Sequence, residues 1–142
     1  MTLCLYSPTM DIAKLSATLR CTPTYAHEKG QLRLPPHGSG PAPVGLWSLD
    51  APKRLGFVEK IQYLLDATPK RVPTWRRLAK NHDVQLRCGL FLHSWNAGFD
   101  LPADTVAEIG ARGWKFAVDI YGAEGGEVIA AFLSKSRKVR GR

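Results

Sequence analysis

The sequence is short of the signatures that usually announce chemistry. No CxxC, HxxxH or HExxH spacing joins its four histidines and three cysteines, and structural zinc normally draws on such closely spaced pairs. No GxSxG elbow frames a serine, and Ser48, in LWSLD, lacks flanking glycines. No GxxxxGK[ST] or GxGxxG loop is present to cradle a phosphate. The one glycine cluster after a strand-like segment, Gly122-Ala123-Glu124-Gly125-Gly126, carries an acid where phosphate would meet a cation, and it reads as a turn. These absences leave no metal and no cofactor to expect. No apolar run approaches the ~20 residues of a membrane helix. The opening MTLCLYSPTMD has neither a basic region nor a cleavable apolar stretch, so the expectation is a cytoplasmic protein without a membrane partner. Cys4, Cys21 and Cys88 are odd in number and far apart, which argues against a disulfide framework. Reduced, buried thiols are expected instead.

What is present is an ordinary globular composition. The 142 residues are 44% hydrophobic and 23% charged, enough chain for one self-sufficient core. The net charge of +8 invites a nucleic-acid reading. Five of the cations, however, are Lys135, Arg137, Lys138, Arg140 and Arg142, at the very end. Setting them aside leaves fifteen basic against twelve acidic groups, a body charge of +3. The excess therefore reads as a basic tail rather than a groove.

Periodicity supplies the elements. Leu3 and Leu5 alternate in residues 2–7, a short strand. Ile12, Leu15 and Leu19 form one helical face, with Thr9 or Asp11 placed to cap it and Thr22-Pro23 to stop it. Residues 30–45 are so rich in glycine and proline that they predict a loop. Residues 44–49 (VGLWSL) read as a second strand. Phe57, Ile61, Leu64 and Leu65 make a strongly amphipathic helix, and 74–81 a short one with Trp75, Leu78 and Ala79 inward. In 84–92, Val84, Leu86, Cys88, Leu90 and Leu92 fall on one face, and Gln85, Arg87, Gly89, Phe91 and His93 on the other. A helix opens near Pro102 with Val106 and Ile109 inward, and Gly110 or Gly113 ends it. The last strand, 114–121, points Trp114, Phe116, Val118 and Ile120 inward and Lys115, Ala117, Asp119 and Tyr121 outward. Two strand–helix–strand units joined by a helical segment predict an α+β fold. The simplest form is a ferredoxin-like two-layer sandwich, an antiparallel or mixed sheet of about four strands with helices on one face. Residues 1–122 form the single domain, and 123–142 an extension with the basic tail.

A set of segments in fixed order resembles a known family. They are Thr22-Pro23-Thr24, then His27-Glu28-Lys29-Gly30, then Gly45-Leu46-Trp47-Ser48 and the helix GFVEKIQYLL. The strand VQLRCGLFLHSW, the segment GFDLPADTVAEIGARG and the strand KFAVDIYG follow. Together they resemble DUF4279, a bacterial domain of unknown function. The resemblance covers roughly residues 3–122 and implies an intracellular α+β domain. It implies no activity.

Chemistry-bearing residues converge at one place by pattern. His93 lies on the outward side of one strand, and Asp119 and Tyr121 on the outward side of another. Trp95 follows in the next loop, and Trp47 sits on the second strand. If the strands are neighbours, these side chains meet on the open sheet face. There a His–carboxylate pair with aromatics can hold a ligand or move a proton. As plain structure, the same residues make a cross-strand pair and two tryptophans packed under the Pro/Gly loop. His27 and Lys29 form a second candidate, since a lysine before a glycine can engage an anion. A surface turn is the structural reading. The tail can contact phosphates through salt-sensitive attraction, though no aromatics interleave with it.

The function expected from the sequence is a non-enzymatic binding module using the sheet face around Trp47, His93, Trp95, Asp119 and Tyr121. One version is an immunity-type protein that neutralises a toxin by covering it. The alternatives are a small-ligand sensor or small enzyme at the His93/Asp119 face, and nucleic-acid contact through the tail. The partner is thus a protein or a small molecule, with nucleic acid less supported.

Overall fold

Alternation in the first strand sets the architecture. In β1 (Thr2–Ser7), Leu3 lies between Leu49 of β5 (Gly45–Asp50) and Leu86 of β6 (Asp83–Phe91), and Leu5 lies between Trp47 and Val84. Both neighbours run antiparallel to β1, so these six residues share one face of the sheet. The helices cover that face. Leu15 and Leu19 of α1 (Ile12–Leu19), Ile61, Leu64 and Leu65 of α2 (Phe57–Asp66), and Trp75 and Leu78 of α3 (Val72–Leu78) pack against it. Ile109 of α4 (Ala103–Ala111) and Trp114 complete the core. Each such side chain, fully buried, contributes roughly 1.5–3 kcal/mol relative to exposure.

The computed structural model describes residues 1–93 and 98–122. It is an α+β structure. The main sheet has five strands in the order β2-β5-β1-β6-β7, with β2 at Tyr25–His27 and β7 at Lys115–Tyr121. β2 is antiparallel to β5. β7 runs alongside β6 in the same direction, since Lys115 is paired with Asp83 at their beginnings and Leu92 N–H donates to Tyr121 O just past the end of β6. The sheet is therefore mixed. A second, two-stranded sheet joins β3 (Leu32–Arg33) to β4 (Gly40–Pro41). The chain divides into two compact units. One is Met1–Cys88 with Leu101–Ala117. The other comprises, among the described residues, 89–93, 98–100 and 118–122. β6 and β7 run from the first into the second.

Local chemistry fixes the ends of the helices. The Asp11 carboxylate accepts from Lys14 N–H at 2.9 Å and caps α1. α1 ends on Arg20, whose left-handed φ of 55° is the conformation usually given to glycine. Glu59 reaches back to Gly56 N–H at 2.8 Å at the start of α2. Pro73 occupies the first turn of α3, where its missing N–H costs nothing. The end of α2 is held from the interior. Arg112 is 3% exposed, and its guanidinium donates to Leu65 O at 2.9 Å and to Thr68 Oγ1 at 3.0 Å. Thr68 Oγ1 in turn donates to Leu64 O at 2.8 Å. Two carbonyls in the last turn of a helix, which otherwise lack partners, are satisfied this way.

Several expectations change. Among the described residues the sheet has five strands rather than about four, because β2 is three residues long and carries no readable alternation. The Pro/Gly segment holds the β3–β4 pair, each strand only two residues long. Trp47 is fully buried on the helix-covered face, its Nε1–H donating to Ser16 Oγ at 3.0 Å, so it belongs to the core and not to the open face. Val106 and Ile120, expected inward, are 51% and 54% exposed, and Ala79 is exposed too. In α4 the inward stripe is Thr105, Ile109 and Arg112, spaced i, i+4, i+7. A buried threonine and arginine do not register as apolar, so the sequence pattern selects the wrong neighbour. Ile109→Ala is expected to lose about 2–5 kcal/mol of stability in a urea melt, and Val106→Ala to change it by less than about 0.5 kcal/mol. Equal losses would contradict this facing of α4.

Candidate functional site

The described residues of the second unit display an aromatic patch. Phe91 and Tyr121, 66% and 52% exposed, stack with ring centroids 4.7 Å apart and 12° between planes. Leu92 N–H donates to Tyr121 O at 2.8 Å and locks the two strand ends together. His93 and Asp119 are exposed, as are Phe99 and Ile120. The adjacency of β6 and β7 thus brings the outward sides of both strands together at Phe91 and Tyr121, as their alternation requires. Of the proposed constellation, Trp95 lies outside the described residues, and Trp47 is in the core of the first unit. Phe91, which alternation assigns only to an outward face, is the more exposed half of the patch.

His27 and Lys29 part company. Lys29 is exposed on a turn closed by Gln31 N–H to Glu28 O and by Gly30 N–H to Ala42 O at 2.7 Å. Gly30 has a φ of 84°, which that turn requires and a side chain would strain. His27 is buried, with Nε2 3.1 Å from Val44 O and Nδ1 3.2 Å from Tyr25 Oη. A carbonyl can only accept, so Nε2 carries the proton and Nδ1 of the neutral ring accepts from the tyrosine. His37, from the Pro/Gly segment, stacks on Tyr25 at 3.6 Å, so the segment is pinned to the strand it covers. Burial pushes the His27 pKa down; the bond to Val44 opposes this, and the charges of Arg33 and His37 add to it.

The face of the first unit opposite the described helices carries Tyr6, Gln85 and Arg87, with Cys4 and Ser48 tucked beneath them. Arg87 donates to Tyr6 Oη at 3.3 Å, and Asp83 accepts from Gln85 at 2.7 Å and meets Lys115 Nζ at 2.6 Å. The Lys115 ammonium, as a hydrogen-bond donor, holds Asp83 below the usual carboxylate range. Burial raises the Cys4 thiol and the Tyr6 phenol alike. A raised thiol stays protonated at neutral pH and is a poor nucleophile. Among the described residues no group of three His, Cys, Asp or Glu side chains is placed to hold a metal ion. No helix among them is long and apolar enough to cross a membrane.

A basic cleft is a site that the sequence reading does not reach. It has a volume of about 560 Å³ and lies between the end of α1 and the turn joining α2 to α3. Arg20, Lys70, Arg71 and Arg77 line it with Thr18 and Thr74. The body charge of +3, summed over the chain, conceals this gathering. The readable signal is the local clustering of Lys70, Arg71, Thr74 and Arg77, the first two in the turn before α3 and the last two on α3.

The protonation of His27 gives a signed prediction. The unfolded ring, near its ordinary value of 6.5, binds a proton more readily than the buried ring. Stability is therefore full above 6.5 and falls as pH drops through 6.5 toward the folded value. His27→Gln can donate to Val44 O and accept from Tyr25 without titrating. Denaturant melts between about pH 7 and 5 are expected to show a steeper acid-side loss in the wild type than in this variant. Identical slopes would contradict the neutral, buried assignment.

No curated protein and no solved structure matches the chain. A family model does, over residues 1–123 of the 142, and it spans β1 through β7. The chain therefore belongs to the family described as Domain of unknown function (DUF4279).

Proposed function

We propose that this chain is a non-catalytic interaction module that binds a partner protein through the aromatic patch of the second unit. The observation that carries the reading is the exposed Phe91–Tyr121 stack. Large aromatic rings left in water are costly to leave uncovered, and buried aromatics dominate the energetics of protein interfaces. His93 and Asp119 supply polar groups beside the rings, the arrangement of an apolar centre with a polar margin. Other features weigh against nucleophilic or general-base chemistry at Cys4 and His27. Both ring nitrogens of His27 are occupied, and burial keeps the Cys4 thiol protonated. Three clefts, bordered by α1, by α3 or by the turn that follows α3, are lined without His93, Asp119 or Tyr121.

We further propose a ferredoxin-like sandwich as the scaffold, over residues 1–122. The strand order β2-β5-β1-β6, with every neighbour antiparallel, supports it. So do the connections, α1 between β1 and β2, and α2 with α3 between β5 and β6. The β3–β4 pair and the α4–β7 unit are then additions to that plan.

An immunity-type protein, covering a toxin encoded beside it, is one concrete form of the module. The test co-expresses the chain with the product of its neighbouring gene and follows the complex by size-exclusion chromatography. Wild-type protein is expected to co-elute with it. The double variant Phe91→Ser, Tyr121→Ser, folded by circular dichroism, is expected to lose at least about 2 kcal/mol per ring in affinity. Absence of a complex, or a complex indifferent to both substitutions, would overturn the proposal.

A further inference from the structure

The cleft between α1 and the α2–α3 turn has a charge balance that selects its occupant. Four cations line it, Arg20, Lys70, Arg71 and Arg77, against one carboxylate, Asp66. Lys70 is shared with Asp66 at 3.5 Å, in a surface pair of little strength. Arg20, Arg71 and Arg77 meet no carboxylate among the described residues. The ends of α1 and α2 also line the cleft, and each helix C-terminus presents roughly half a negative charge. Counting both ends and Asp66 leaves a surplus of about two positive charges. A phosphomonoester carries about −1.5 to −2 at neutral pH.

Shape and chemistry agree with that count. Arginine matches phosphate oxygens in paired, bidentate fashion, and three of the four cations are arginines. Thr74 adds a hydroxyl, whereas that of Thr18 donates to Lys14 O at 2.8 Å within α1. Arg20 occupies a left-handed position at φ 55°, where glycine would be at ease and any side chain is strained. That strained position sets an arginine at the cleft. The volume, about 560 Å³, is within the usual range of small-ligand pockets and exceeds what a bare phosphate needs. No aromatic ring lines it, so a nucleobase would find nothing to stack on.

We propose that this cleft is a binding site for a small, non-aromatic phosphomonoester, held by Arg20, Arg71 and Arg77. It is a function additional to the aromatic patch, and the two stand or fall separately.

Titration calorimetry on the full chain tests it with three probes: glucose 6-phosphate, inorganic phosphate and a single-stranded RNA oligonucleotide. Glucose 6-phosphate is expected to saturate one site per chain. Arg71→Gln and Arg77→Gln each weaken it by roughly tenfold or more, the loss of a charge-assisted hydrogen bond. Lys53→Gln with Arg54→Gln, which removes two cations outside the cleft, leaves it unchanged. Circular dichroism melts confirm that each variant is folded. Weaker binding of inorganic phosphate at the same site also supports the assignment, because the shared chemistry is the dianion. The proposal is overturned if neither small probe binds at millimolar concentration. It is equally overturned if only RNA binds, with a steep salt dependence, or if both arginine variants bind as well as the wild type.

Discussion

A buried cation ties α4 to the end of α2. The Arg112 guanidinium, from just beyond α4, donates to Leu65 O and Thr68 Oγ1 at the end of α2 and approaches Glu108 at 3.5 Å. It lies over the Trp114 ring, 5.2 Å from its centroid, and Trp114 meets Trp75 of α3 edge to face at 5.0 Å. Arg112 thus ties the end of α4 to the end of α2, and through Trp114 the same cluster reaches α3. Desolvation lowers its pKa, opposed by the charges of Glu108 and Asp66. Such a burial is tolerated only where hydrogen bonds replace water. The turn it grips, through Thr68, is the same turn that carries Lys70 and Arg71 to the cationic cleft. A structural clamp on one side of the turn thus fixes the wall of a candidate site on the other.

The sheet divides its labour by face. Strict alternation sends Leu3, Leu5, Trp47, Leu49, Val84 and Leu86 to the helices and leaves Tyr6, Gln85 and Arg87 on the other side. That division is readable from residues 84–91 alone, where period-two patterning is unbroken. So are α1 and α2, whose apolar stripes are purely aliphatic or aromatic. Strands of two or three residues are too short to display an alternation, as β2, β3 and β4 illustrate. Nor is the facing of α4, where Thr105 and Arg112 are buried polar residues that no hydrophobic pattern registers.

The functional surfaces follow the same logic. The outward sides of β6 and β7 can be assigned from alternation, and the Phe91–Tyr121 stack is the meeting that alternation implies once the strands are neighbours. Trp47 goes astray because a tryptophan on a strand is equally suited to a core and to a binding face, and only the register with Leu5 decides between them. The cationic cleft is hidden for a different reason. Its residues come from the end of α1 and from the α2–α3 region, and a net charge summed along the chain carries no information about which cations converge in space.

The claim that Arg112 ties α4 to the end of α2 is open to a local measurement. Global stability is a poor probe, because replacing a buried charge by an apolar side chain of similar length is often neutral. Amide hydrogen exchange resolves the matter residue by residue. In Arg112→Met, the amides at the end of α2 and in the turn at 67–71 are expected to lose protection together, while those of β1 and β5 keep theirs. Unchanged protection in that turn, or a loss spread evenly through the sheet, would contradict the account.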